Sequence, residues 1–402
     1  YHALYALYEL TWINEGLPPS LADTRMPTHT VFDHSYATAL TINMLWSDGE
    51  VNGYLVEVDI PGIQRIVNSA RKAGDFWVGS WLVSMLAWLT VWPLVWEYGP
   101  DLVIRPTLRL NPIYHATLIG ALSRTLPRTL GGDNIIDTIK NITSRFYLKT
   151  MINIDVKETD ITQQFIREPI IPGTMTLIMP SIAASDEGKV VEILSGNFER
   201  AYNCLLNLAF NGEVNDKYCT DVLPRKIDDG GDTLLKISRK LYSMLNKSGV
   251  FKDLISVRIN AVNLHDVYEC LLSHIRGASD KCLIGGVELT GDDLKMFSED
   301  RSSKLRLPRE LRETLREKGV EVSDEELAKF LIMHMGLRIL NKVAQVRARK
   351  RLTVGKAWFH YNDSTIKKPI TADNVDAYSE YVFKKANRED VGFIYCSICG
   401  EE

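Results

Sequence analysis

An excess of positive charge is the first thing this sequence lacks. Its 47 Lys and Arg are outnumbered by 51 Asp and Glu, for a net charge of −4. That balance excludes a globally basic nucleic-acid coat, so any nucleic-acid contact has to be a local patch. Cysteine is scarce as well: six in 402 residues, with only Cys396 and Cys399 closely spaced. A disulfide framework is therefore not expected, and the chain reads as a protein of a reducing cytoplasm. At this length one ordinary core is not enough, and two or three domains are expected. The chain opens inside an apolar helical pattern, YHALYALYELTW, and stops at CSICGEE. The expectation is a fragment of a longer protein.

One long stretch lacks charge altogether. Phe76 to Trp96 carries no ionisable Asp, Glu, Lys or Arg and is about as long as a membrane-spanning helix. Its tryptophans argue for a different environment. Trp77, Trp81, Trp88 and Trp92 recur along one helix face, whereas a spanning helix concentrates Trp at its two ends. Ser80, Val83, Ala87 and Thr90 form a second face of small residues suited to close packing on a sheet. The pattern predicts a buried core helix, with a membrane anchor as the alternative.

The flanking residues place that helix in a larger unit. Tyr54–Ile60 is apolar and β-branched and ends at Pro61-Gly62, which predicts a strand entering a turn. A helical period then runs from Ile63 to Gly99-Pro100, and Leu102–Leu110 is again strand-like. Thr174–Met179 reads as a strand, Lys189–Ala209 as an amphipathic helix and Asp253–Asn263 as a strand. The order is strand, helix, strand, strand, helix, strand, with 113–168 inserted. It predicts an α+β fold: a ferredoxin-like nucleotide cyclase or polymerase palm with a long buried helix, flanked by helical segments.

Three runs carry a resemblance to a known family: ADTRMPTHTVFDHSYATA, VDIPGIQRIVNSARKAGDFWVGSWLVS and RPTLRLNP, in that order. Together they resemble the large subunit of type III-B CRISPR-Cas effector complexes, an RNA-guided antiviral machine. The resemblance is firm over Leu21–Pro112 and thinner beyond it. It implies that residues 1–50 close an HD-type helical domain and that 51–263 form the first of two palms. Residues 264–402 would be a helical segment running into a zinc site. In such a protein, target RNA pairing with guide RNA licenses two activities. The HD domain cuts single-stranded DNA, and the second palm joins ATP into cyclic oligoadenylate with Mg²⁺ or Mn²⁺. The other complex subunits are the implied partners, with a cytoplasmic location and no membrane. A non-catalytic RNA-binding and assembly subunit with decayed active sites is the alternative.

Candidate site residues follow from these readings. His29, Asp33 and His34 sit on or before a helix that Thr28 or Thr30 can cap and that runs through Trp46. They are either metal ligands of an HD centre or helix caps that hydrogen-bond the Arg25 loop. The adjacent His-Asp pair that names the HD fold is absent from this segment. Asp59 ends the first strand, where an active palm holds a metal-binding carboxylate. Its expected acidic partners are missing, since RPTLRLNP supplies arginines instead. Asp59 is therefore structural or, with Asp75 and Ser80 at the start of the long helix, part of a nucleotide-pocket wall. Gly131-Gly132-Asp133-Asn134 and Asp228–Asp232 imitate a cyclase signature but lack flanking strands, and read as turns or helix starts.

The remaining motifs lie near the C-terminus. Ser323-x-x-Glu326 predicts a capping box opening a helix through about Lys350, with Leu327, Phe330, Met333, Leu337, Leu340 and Ala344 as its buried face. Its basic end, VRARKR, is either a solvated helix terminus or a contact for RNA or an acidic neighbour. Cys396-Ser397-Ile398-Cys399-Gly400 predicts half of a structural zinc knuckle, with a redox CxxC as the rival. Cys270 and Cys282 are too far apart in sequence to supply a second knuckle.

Overall fold

A computed structural model describes residues 1–22, 29–44, 50–126 apart from 69 and 71, 132–147, 166–227 apart from 167, 233–247, 255–290 apart from 280, 293, and 308–351 apart from 318 and 320. Helices α1 (His2–Asn14) and α2 (Val31–Ile42) precede strand β1 (Tyr54–Asp59), which leads through the short α3 (Ile63–Asn68) into α4 (Ala73–Tyr98). Strand β2 (Val103–Arg105) is followed by α5 (Pro112–Thr125) and α6 (Gly132–Tyr147), then β3 (Thr174–Met179) and α7 (Glu187–Asn211). After α8 (Thr233–Lys247) and β4 (Arg258–Asn263) come α9 (Leu264–Arg276), the hairpin β5 (Lys281–Ile284) and β6 (Val287–Thr290), α10 (Pro308–Glu317) and α11 (Asp324–Arg351). The class is α+β, as the sequence predicts.

The main sheet has the order β2-β3-β1-β4, and every neighbouring pair is antiparallel. Side chains alternate across a strand, so the register fixes two faces. Val56 lies opposite Leu177 and Ala261, and Val58 opposite Met175 and Ile259. These residues are buried in one large apolar core with α4, α5 and α7. Leu55, opposite Ile178 and Val262, belongs to a second core with α9 and α11. Gly336 brings α11 in close, because a Cβ there would sit 3.3 Å from Leu55 Cδ2.

Helix α4 is core, in keeping with its tryptophan pattern. Among the described helices it alone is long and apolar enough to cross a membrane, and 78% of its apolar window is buried inside the fold. Trp88 and Trp92 are fully buried, and each indole N–H has a partner. Trp88 Nε1 donates to Thr117 Oγ1 at 2.9 Å, and Trp92 Nε1 to Asp221 Oδ2 at 3.0 Å. Asp221 is in turn gripped by Arg124 through Nε and Nη2, both at 2.8 Å. The stripe does not stay buried along its full length, since Phe76, Trp77 and Val78 remain exposed near the helix start.

Several expectations need correction. The helical run from Ile63 is not continuous: Lys72 is extended (φ −133°, ψ 159°), and α3 folds back so that Ile66 packs against Gly79 of α4. The strand expected over Leu102–Leu110 ends at Arg105, since Pro106 has no N–H to offer the sheet. The inserted region, which lacks a clear pattern in sequence, contains α5 and α6, and α5 is buried almost throughout. Helix α2 ends at Ile42 rather than Trp46, which lies outside the described residues. The capping box at Ser323 and Glu326 is present, with both reciprocal bonds made. The buried face of α11 is shifted from the expected one, with Met333 and Leu337 only partly buried against the core. Leu331, Ile332, Met335, Ile339 and Val343 are buried with Leu327 and Leu340, while Phe330 is 79% exposed. The positions of α9 and the sheet select that face, and both candidate stripes are apolar enough to serve.

The cysteine reading is also overturned. Cys204 pairs with Cys219, and Cys270 with Cys282, as two disulfides. Their Cα atoms are 6.4 and 5.8 Å apart, within bonding range, because α7 meets the loop that follows it and α9 meets β5. Cys396 and Cys399, with the zinc half-site expected there, lie outside the described residues.

Candidate functional site

Beyond Leu55, the second face of the sheet changes character. Glu57 and Asp59 continue the same side of β1, and the register sets polar residues against them. Glu57 is opposite Thr176 of β3 and Asn260 of β4; Asp59 is opposite Thr174 and Arg258. Arg105 of β2 extends the row beside Thr176. Thr174 Oγ1 donates to Asp59 Oδ1 at 2.8 Å, and Arg258 Nη1 stands 4.0 Å from Asp59 Oδ2. Asn260 Nδ2 donates to Glu57 Oε1 at 3.3 Å. Burial raises the Glu57 carboxyl above its usual range, opposed by the Asn260 hydrogen bond and reinforced by the charge of Asp59. The result is an open platform of donors and acceptors on a rigid sheet.

Asp59 is thus tied to a hydroxyl and a guanidinium rather than to other carboxylates. That partner set does not suit a pair of divalent ions, which needs several converging oxygen ligands. Asp75 is exposed in the first turn of α4, and Ser80 is half-buried further along it. Helix α4 packs on the Val56 and Val58 face, whereas Asp59 shares its face with Leu55. Asp75 and Ser80 therefore belong to the helix that covers the opposite face and do not stand on the polar row itself.

The His29, Asp33 and His34 group resolves differently. Thr30 caps α2, with Asp33 completing the box: Thr30 N and Oγ1 donate to Asp33 Oδ2 at 2.7 and 2.8 Å. The other carboxylate oxygen pairs with Arg109. These bonds, the Thr30 backbone N–H first and then Arg109, hold the Asp33 carboxyl down to about 2. The His29 and His34 rings lie 6.0 Å apart, roughly stacked. Asp33 serves as a cap and an ion-pair partner. Its arginine is Arg109 from RPTLRLNP, while Arg25 lies outside the described residues.

Arg109 is the residue that sequence reasoning undervalued. It grips buried Glu9 of α1 and Asp33 of α2 and lies over the Tyr36 ring at 5.2 Å. Nearby, Tyr1 and Asn43 donate to Asp101, and His2 bonds both Tyr114 and the Trp96 carbonyl. This polar and aromatic seam docks the N-terminal helices on the core. Gly132 and Asp133 open α6, a helix rather than a strand hairpin, and Asp228–Asp232 lies outside the described residues.

Comparison with known proteins gives this arrangement its context. Residues 55–207 match the family model described as CRISPR-associated protein Cmr2, N-terminal. The chain is 35% identical over 188 residues to the CRISPR system CMR subunit Cmr2 of Saccharolobus solfataricus. It is 24% identical over 173 residues to the CRISPR system Cmr subunit Cmr2 of Pyrococcus furiosus. These matches cover 46% and 43% of this chain but only 17% of each relative. Among solved structures, the cryo-EM structure of type III-B Cmr-beta in the apo state contains a chain with a similar fold. The TM-score is 0.53 at 24% identity, covering 81% of this chain and 28% of the other. Over residues 55–207 the chain resembles the N-terminal part of Cmr2, a subunit of type III-B CRISPR complexes, and it spans about a sixth of the length of the curated relatives it matches.

Proposed function

We propose that this chain supplies the first palm of the large subunit and serves there as a nucleotide-facing wall and an assembly scaffold. The observation that carries this reading is the β2-β3-β1-β4 sheet with α4 and α7 on one face, a strand order that suits a ferredoxin-like palm. The other face is left polar around Glu57, Asp59, Asn260 and Arg258. Residues 1–50 are read as the end of an HD-type domain, and residues beyond 264 as the helical lead into a zinc site held in part by Cys396 and Cys399.

In the intact protein, target RNA paired with guide RNA licenses cyclic oligoadenylate synthesis from ATP and cutting of single-stranded DNA. Both activities rest on the family resemblance. The part played by this chain is narrower. Arg258, Asn260 and the threonines offer donors to a nucleotide's phosphate or base, while Glu57 and Asp59 offer acceptors to its hydroxyls. Asp75 and Ser80, near the start of α4, are the outlying part of that wall. The second reading is an RNA-binding scaffold without catalysis, working beside the other subunits in the cytoplasm. The engagement of Asp33 and Asp59 in structural ion pairs favours it for this part of the protein.

Calorimetric titration of the purified chain with ATP and Mg²⁺ tests the reading. Weak binding is expected, reduced at least tenfold by Asn260→Ala together with Asp59→Ala, with no cyclic oligoadenylate formed and no DNA cut. ATP binding untouched by those substitutions would remove the wall from this face. Product that disappears with Asp133→Ala, or DNA cleavage that disappears with His34→Ala, would restore an active centre to this chain.

A further inference from the structure

A corner far from the polar sheet face gathers chemistry that the palm reading does not use. Cys204 lies on α7, Asp216 in the loop that follows, and Cys219 in the short helical turn Cys219–Asp221. One donor atom from each lies within 4.8 Å of the others. Both sulfurs are buried. Asp216 Oδ1 accepts the Tyr218 and Cys219 backbone N–H groups, both at 3.0 Å, which fixes the carboxylate and leaves Oδ2 for another partner.

Arg200 supplies the second observation. It lies one helical turn before Cys204 on α7, so the two share a face. Its Nη1 donates to Asn197, and its guanidinium lies over the Tyr218 ring at 5.0 Å. Nε and Nη2 are closed off from solvent and have no hydrogen-bond partner among the described residues. The Asp216 carboxylate stands 3.8 Å from Nε, an ion pair too long to be a hydrogen bond. Donors shut off from solvent without a partner are costly, even on a side chain that is partly exposed elsewhere. Disulfide sulfurs are poor acceptors for these donors, whereas metal-bound thiolates at the same place are good ones.

We propose that Cys204, Asp216 and Cys219 form a redox-gated site for a divalent thiophilic cation of the zinc class. A dithiol reductant cleaves the Cys204–Cys219 bond, passing two electrons to the sulfurs and leaving as its own cyclic disulfide. Zinc then displaces the two thiol protons to solvent and takes two thiolates and one carboxylate. This centre has a net charge of −1, which Arg200 balances. Two sulfurs and an oxygen are an ordinary zinc donor set. A cavity of about 520 Å³ adjoins the site, lined by Cys204, Asp216, Arg200, Asn203, Asn207 and Glu213 among others, and water from it would supply the fourth ligand.

The test uses the full chain carrying Cys396→Ser and Cys399→Ser, so that the C-terminal pair cannot contribute. After reduction and removal of excess reductant, metal analysis should find one more zinc per chain than in the oxidised protein. Cobalt(II) should give a thiolate charge-transfer band only in the reduced form. Asp216→Asn keeps the acceptor that caps the turn but loses the charge, and should weaken zinc binding at least tenfold while the disulfide still forms. Arg200→Met should weaken it by about tenfold, as outer-sphere substitutions do. Equal zinc in the reduced and oxidised proteins would overturn the proposal. So would full zinc retention in a Cys219→Ser variant whose circular dichroism shows it folded.

Discussion

The two faces of one sheet have been put to different uses. On one side, Val56 and Val58 disappear beneath α4 and α7 into a core containing Trp88, Trp92 and Tyr114, none of them accessible to solvent. On the other, Leu55 is buried but Glu57 and Asp59 emerge on an open polar row. The same strand therefore carries a packed face, where shape and volume decide what is tolerated, and a half-open face, where stability constrains side chains less. A face freed from packing is where a protein can place binding groups on rigid backbone.

The comparison can be broken most sharply at Trp92. Trp92→Ala should cost about 3–5 kcal/mol, from lost apolar contact, the cavity, and the stranded Asp221 bond. Chemical denaturation measures it, and a loss below about 1 kcal/mol would mean that the α4 side is not the main core.

Acid separates the faces next. His115 is buried on the α4 side, and burial lowers its imidazole to about 4, with Tyr147 OH 2.6 Å from Nδ1. The fold binds the neutral ring, so this stabilisation is complete above the unfolded value of 6.5 and lost as pH falls through about 4. The loss is roughly 3 kcal/mol. Glu57 acts in the opposite sense. Its raised carboxyl gains a proton more readily in the fold, so acid relieves a burial penalty there instead of adding one. Denaturation midpoints between pH 7 and 4 should fall in the parent protein, and His115→Gln should flatten that fall. A fall unchanged by the substitution would place the acid sensitivity elsewhere.

The smallest effect sharpens the contrast. Glu57→Gln removes a charge that is partly buried and keeps the Asn260 contact, so stability at pH 7 should stay level or rise by up to about 0.5 kcal/mol. A loss comparable to that of Trp92→Ala would show that the polar row is structural and not an available surface.

Local pattern made some of this legible and long-range geometry hid the rest. Strands β1 and β3, the long apolar helix, the amphipathic α7, the Thr30 cap and the Ser323–Glu326 capping box follow from residues a few positions apart. Arg109 could not be read that way. Its partners Glu9 and Asp33 lie 100 and 76 residues away, and no periodicity links them. The cysteine pairs are separated by 15 and 12 residues, which gives no hint of bonding until α7 and α9 are docked on their neighbours. In α11 the expected stripe is rotated: Leu327 and Leu340 are buried, Met333 and Leu337 partly so, and Phe330 is exposed because the sheet and α9 lie toward Leu331, Met335 and Ile339.

The sequence by itself determined the alternation of strands and helices, the burial of Phe76–Trp96 along most of its length, and the family resemblance. Hydrophobic period and local capping are written in neighbouring residues. Only the tertiary structure decided which face of the sheet stays open, that Asp59 meets Arg258 and Thr174, and that Asp33 is held by Arg109. It also brought Cys204, Asp216 and Cys219 to one corner. Those pairings depend on register and docking, which are set by the summed packing of distant segments and by no short stretch of chain.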